Sequence, residues 1–183
     1  MYTPTVIFSH GKESGPWGAK IKALAKIAEQ NGCKVLSCDE QDNNDPEQRV
    51  SNLLAEIEPI EGEVILVGSS MGGYVAAVAA QQARPVGLFL MAPAIGLPGY
   101  AVQTPCPVAR ELTIVHGWDD DLIDGDGIVE FSRQLGAMLH LVPARHALLE
   151  QIDWLCSLFD LFLQRCLALE SPVTRQGRLL ASI

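Results

Sequence analysis

The chain has 183 residues, 48% of them hydrophobic and 19% charged, with a formal net charge of −9. That length suits one domain that buries roughly 70% of the surface its unfolded form exposes, and the composition excludes a disordered chain. The acidic balance argues against a broad nucleic-acid footprint, which needs a basic face to displace counterions from phosphates.

The N-terminal stretch, MYTPTVIFSHGK, has no basic segment ahead of its apolar run and no small-residue cleavage site, so no signal peptide is read there. TVIFSH is a short apolar strand followed by the glycine-rich loop GKESGPWG. The next segment, WGAKIKALAKIAEQNG, places Trp17, Ile21, Leu24 and Ala28 on one helical face, with Gly32 just past its end. KVLSCDE is a second strand. Asp45 and Pro46 then form a helix start, the proline where its missing N–H does no harm, and Val50, Leu53, Leu54 and Ile57 make the buried stripe.

EVILVGSS and GGYVAAVAAQQA follow as the third strand and third helix. Residues 64–83 carry no charge, but GSSMGG divides them, so they are not a membrane span. PVGLFLMAP and ELTIVHG are strands four and five. Between them AIGLPGYAVQTPCPVAR carries three prolines and two glycines and reads as a loop over the sheet. GIVEFSRQL is a short helix, MLHLVPA a sixth strand, and HALLEQIDWLCSLFDLFLQRCLAL a long last helix with Leu148, Ile152, Leu155, Phe159 and Phe162 inward. Residues 1–170 read as one domain and 171–183, SPVTRQGRLLASI, as a loosely held tail.

Near-continuous apolar strands alternating with helices predict an α/β fold, a doubly wound, mostly parallel six-stranded sheet. Such a sheet carries its chemistry at the carboxyl ends of the strands. The five cysteines, Cys33, Cys38, Cys106, Cys156 and Cys166, show no CxxC pair and no His/Cys zinc spacing, so they read as reduced thiols and no metal site is expected. A cytoplasmic protein is the expected setting.

The densest signal is VILVGSSMGGY at residues 64–74. Gly68, Ser70 and Gly72 satisfy G-x-S-x-G, whereas centring on Ser69 puts Val67 and Met71 at the outer positions and fails. In that turn the chain reverses sharply from strand to helix. Glycines relieve the collisions, and the serine stands clear at a helix N-terminus that favours negative charge. A serine nucleophile needs a base, and the base needs an orienting acid. HGWDDDLI follows strand five and ARHALL follows strand six, both downstream of Ser70.

In these features the sequence resembles the α/β-hydrolases, on SHGK after the first strand, GSSMGG, HGWDD and RHAL, which together cover nearly the whole domain. The resemblance implies a compact, lidless serine-esterase-like member without cofactor. Its acid would be Asp120, four residues after His116, although Asp119 and Asp121 flank it; its base would be His146. The resemblance also implies an oxyanion site from the backbone N–H groups of Met71 and Lys12. His10 and His116 read as loop-stabilising residues, His140 as a strand residue, and Lys12 and Glu13 as solvated charges paired with each other.

Trp17, Met71, Tyr74, Leu97 and Tyr100 are candidates to line an apolar acyl pocket. The expected activity is hydrolysis of small acyl esters or thioesters, with no nucleic-acid or membrane partner. Two other classes compete. One is a catalytically idle fold serving protein interaction. The other is a nucleotide-binding domain, which the lack of G-x-G-x-x-G and of a P-loop lysine disfavours.

Overall fold

The structure is a computed structural model that describes residues 3–168. Strands β1 (Thr5–Ser9), β2 (Lys34–Ser37), β3 (Val64–Ser69), β4 (Gly87–Met91), β5 (Glu111–Gly117) and β6 (Met138–Val142) form one sheet in the order β2-β1-β3-β4-β5-β6. Every pairing is parallel, more uniform than the mostly parallel sheet expected. β1, β3 and β4 are buried along their whole length, which is why they read as unbroken apolar runs.

Alternation along the strands divides the core between two faces. Val6, Phe8, Val67, Phe89 and Met91 pack against α1 (Ala19–Gln30) and α5 (Ile152–Ala168). Ile7, Leu66, Leu88, Leu90 and Ile114 pack against α2 (Pro46–Ile57), α3 (Met71–Ala83) and α4 (Gly125–Leu135). Helices on both faces make the sheet doubly wound. The direction of winding changes between β1 and β3, so the loops leaving those strands diverge and open a crevice between them.

Several local expectations hold. The Asp45 carboxylate accepts from the backbone N–H groups of Glu47 and Gln48, with Pro46 as the first residue of α2. Gly32 takes φ 78° just past α1, and residues 94–110 contain no helix or strand. The last helix differs. His146 to Leu148 are loop, Leu148 adopts a left-handed φ of 57° that stops a helix from passing through it, and a 3-10 turn at Leu149–Gln151 leads into α5. His146 is thereby left in a loop. Trp17 precedes α1 instead of lying on its face. The tail expected at 171–183 lies outside the described residues.

Candidate active site

Ser70 sits between the last residue of β3 and the first of α3, with φ 56° and ψ −120°, a conformation L-residues avoid. The turn can be this tight only because its flanks lack side chains. A Cβ on Gly68 would run into the Gly72 carbonyl, and one on Gly72 into the carbonyl of Ser9 at the end of β1. The glycine pattern thus reflects backbone-to-backbone contact among β1, β3 and α3. The Ser70 carbonyl accepts from the N–H of Gly73 and of Ala94, and its own N–H donates to Met91, which pins the elbow from both sides.

The loops after β5 and β6 continue pairing beyond the sheet. Trp118 N–H donates to Val142 and Asp119 N–H to Ala144. This extended contact brings two distant segments together above Ser70. His146 Nε2 lies 2.9 Å from Ser70 Oγ, and His146 Nδ1 lies 2.8 Å from Asp120 Oδ2. A carboxylate only accepts, so the proton rests on Nδ1 and Nε2 is left to accept from the serine hydroxyl.

Asp120 is almost wholly buried, with 1% of its side chain exposed. Its Oδ1 accepts from the backbone N–H groups of Leu122 and Ile123 at 2.9 and 3.0 Å. Burial alone would raise its pKa; the hydrogen bonds from His146, Leu122 and Ile123 outweigh that and hold it below the ordinary value. Asp119 and Asp121 are exposed and make neither contact.

His116 is fully buried beside this carboxylate, its Nε2 3.7 Å from Asp120 Oδ2, and neither ring nitrogen makes a well-formed hydrogen bond among the described residues. Burial lowers its pKa, so it stays neutral. His140, on β6, meets the Trp154 ring edge-on at 5.6 Å.

The first loop closes the other side. A Cβ on Gly11 would stand 3.3 Å from Ser70 Cβ, so this loop lies directly against the serine. The Lys12 backbone N–H donates to no acceptor among the described residues, and that of Met71 is the first of the donors a helix N-terminus leaves unmatched. The Lys12 and Glu13 side chains are exposed and form no ion pair with each other among the described residues.

Two features of this side are not evident from the motifs. Arg49, 1% exposed, donates to the carbonyls of Asn43, His10 and Glu40 at 2.6, 3.0 and 2.7 Å, tying α2 to the loops after β1 and β2. His10 completes the tie. Its Nε2 accepts from Glu40 N–H, so Nδ1 carries the proton and donates to Gly11 O at 2.7 Å. The second feature is Lys20, whose Nζ donates to Ser69 Oγ at 3.0 Å. In both cases the readable signal is a cation adjoining an apolar stripe, Arg49 beside Val50 and Lys20 beside Ile21.

A cavity of about 610 Å³ opens at Ser70 and His146, lined in part by Lys20, Met71, Leu97 and Tyr100. Trp17 and Tyr74 do not line it. Trp17 is held outside by the turn before α1, where Ser37 Oγ donates to Pro16 O, and is 46% exposed. Tyr74 is fully buried one turn into α3; its hydroxyl donates to Glu47 and accepts from Val102 N–H, and its ring packs on Tyr100 at 4.6 Å. Tyr74 supports the wall from behind.

Among the described residues no cluster of His, Cys, Asp or Glu is arranged to hold a metal, and no helix is long and apolar enough to cross a membrane.

The model of the uncharacterised protein family UPF0227 matches residues 5–99. The fold is also similar to that of a member of the α/β superfamily of hydrolases from Xanthomonas campestris pv. campestris. That protein is 32% identical, with a TM-score of 0.80 over 88% of this chain and 98% of that one. The chain belongs to the α/β-hydrolase superfamily and to the UPF0227 family. More distant likenesses at 17% identity share the fold. Est1E from Butyrivibrio proteoclasticus has a TM-score of 0.76 over 91% of this chain and 89% of its own. The Pyrococcus furiosus esterase Pf2001 has a TM-score of 0.78 over 90% and 83%. A search of curated proteins gave no match. The structural relatives are α/β hydrolases and esterases, which supports a hydrolase-type function.

Proposed function

We propose that the protein is a serine hydrolase that cleaves small carboxylic esters or thioesters through an acyl-enzyme on Ser70. The observation that carries this reading is the unbroken line from Ser70 Oγ through His146 to the buried Asp120 carboxylate, at 2.9 and 2.8 Å. A strained serine conformation adds to it, because strain of this kind is retained where function uses it.

As Ser70 Oγ attacks the substrate carbonyl carbon, His146 Nε2 takes its proton and Asp120 stabilises the imidazolium. The carbonyl electrons move to oxygen, and the backbone N–H groups of Met71 and Lys12 are the donors available to that oxyanion. Collapse expels the alcohol or thiol, which leaves with the proton from His146. Water then attacks the acyl-serine, with His146 again the base, and the acid departs. Every proton is handled by this chain's own residues, so the chemistry calls for no cofactor. Among the described residues no inserted cap covers the cavity, which favours small soluble substrates.

The test is a panel of nitrophenyl esters of increasing chain length, given to the wild type and to Ser70→Ala beside a fluorophosphonate probe. Cleavage and labelling lost in the variant support the reading. Equal cleavage by both proteins, or no labelling of the wild type, would overturn it and favour an idle fold used for interaction.

A further inference from the structure

Lys20 is hard to explain as a structural residue. It is the second residue of α1, so its ammonium sits at the positive end of that helix, where no acidic residue in the first turn offsets it. It is partly buried and makes no ion pair among the described residues. Its polar contact is the Ser69 hydroxyl, and the acid that acts on it electrostatically, Asp120, is committed to His146. An ammonium that is partly desolvated while its nearby acid is engaged elsewhere costs stability, and its place in a cleft marks it as a binding group for an anion.

Lys20 and Ser69 both line the cavity beside Ser70. The chain carries 22 acidic residues against 13 basic ones, yet the charged residues on this wall are Lys12, Lys20 and Glu13. Lys12 and Glu13 are exposed and offset one another, and the Asp120 carboxylate lies behind His146, so Lys20 is the cation that this wall presents to the cavity. We propose that Lys20 and the Ser69 hydroxyl recognise a carboxylate carried by the substrate, so that the preferred substrates are small esters or thioesters bearing an acidic group. This rests on the hydrolase reading and narrows its substrate class.

The chemistry fits a carboxylate. The ammonium retains donors beyond the one given to Ser69, and the Ser69 hydroxyl, which accepts from Lys20, keeps its own proton to donate. One carboxylate oxygen can meet each, a charge-assisted pair of contacts with a single net charge on either side. Ile21, Met71, Leu97 and Leu149 on the same cavity supply the apolar surface for the chain between the carboxylate and the ester. Burial pulls the Lys20 ammonium down to about 8, so it is mostly charged at neutral pH and gains most from an anion that restores its lost solvation.

The test uses Ser70→Ala protein, which needs no turnover, and calorimetric binding of monomethyl adipate against dimethyl adipate. The mono-acid is expected to bind about tenfold or more tightly. That preference is expected to fall to about twofold or less in Ser70→Ala/Lys20→Met, and to survive in Ser70→Ala/Lys20→Arg. In the absence of ligand, Lys20→Met is expected to melt at or above the wild-type temperature, since it removes a partly desolvated charge that has no ion-pair partner among the described residues. Equal binding of the two esters, binding of neither, a preference that persists without Lys20, or a large loss of stability in Lys20→Met would each overturn the proposal. Turnover of neutral nitrophenyl esters by the wild type is read separately, so failure of the hydrolase reading and failure of this one are distinguishable.

Discussion

Ser69 and Ser70 are adjacent, and their surroundings could hardly differ more. Ser69 closes β3 in a buried, regular conformation with its hydroxyl held by Lys20, while Ser70 turns to φ 56° and meets His146. Two identical side chains are thus sorted by backbone geometry alone. The strand places Ser69, and the elbow lifts Ser70 away from the sheet towards loops that arrive from β5 and β6. The same contrast separates the two sides of the cavity. One side supplies a base and a buried acid; the other supplies backbone donors and a cation.

The largest expected effect comes from breaking the first side. Ser70→Ala should lower kcat by about 10⁴-fold or more against the best nitrophenyl ester. Asp120→Asn should cost about 10³–10⁴-fold, because the amide cannot hold the imidazole in the accepting tautomer, whereas the exposed Asp119→Asn should stay within about twofold. Similar losses in both acid variants would mean that the pairing with His146 does not matter.

On the second side, Arg49→Met should lower unfolding stability by about 3 kcal/mol, since three carbonyls, two of them in buried contacts, lose a charged donor. Denaturant titration reads this; a midpoint shift equivalent to less than about 1 kcal/mol would deny the clamp its role.

The smallest effect is on pH dependence. His10, His116 and His140 are all held below 6.5 by burial. As pH falls below about 6.5 the unfolded chain takes up protons before the folded one does, so stability should decline from there downward. Asp120, held low in the fold, adds its loss only below its unfolded value near 3.8. Denaturation midpoints at about pH 7.5 and about pH 5.5 check the histidine part; equal values would contradict it.

Much of this was legible in the sequence because it depended on local sterics. The glycines at 68 and 72 announce a turn whatever the rest of the chain does, and uninterrupted runs such as VILVG announce strands covered on both faces. Asp120 could be separated from Asp119 and Asp121 by the resemblance alone; in the structure the distinction comes from two backbone N–H groups and an imidazole that converge on one carboxylate. What stayed hidden depended on long-range packing. Tyr74 has the composition of a pocket residue, yet α2 reaches it first through Glu47. Arg49 and Lys20 each adjoin an apolar stripe residue, Val50 and Ile21, but that local signal does not say which loop or cavity will lie over them.

The central claim is that His146 and Asp120 activate Ser70 and leave its neighbour inert. Peptide mapping by mass spectrometry after fluorophosphonate treatment tests it most directly. The adduct should sit on Ser70 and be lost in His146→Ala; an adduct on Ser69, or labelling of Ser70 that persists without His146, would contradict the account.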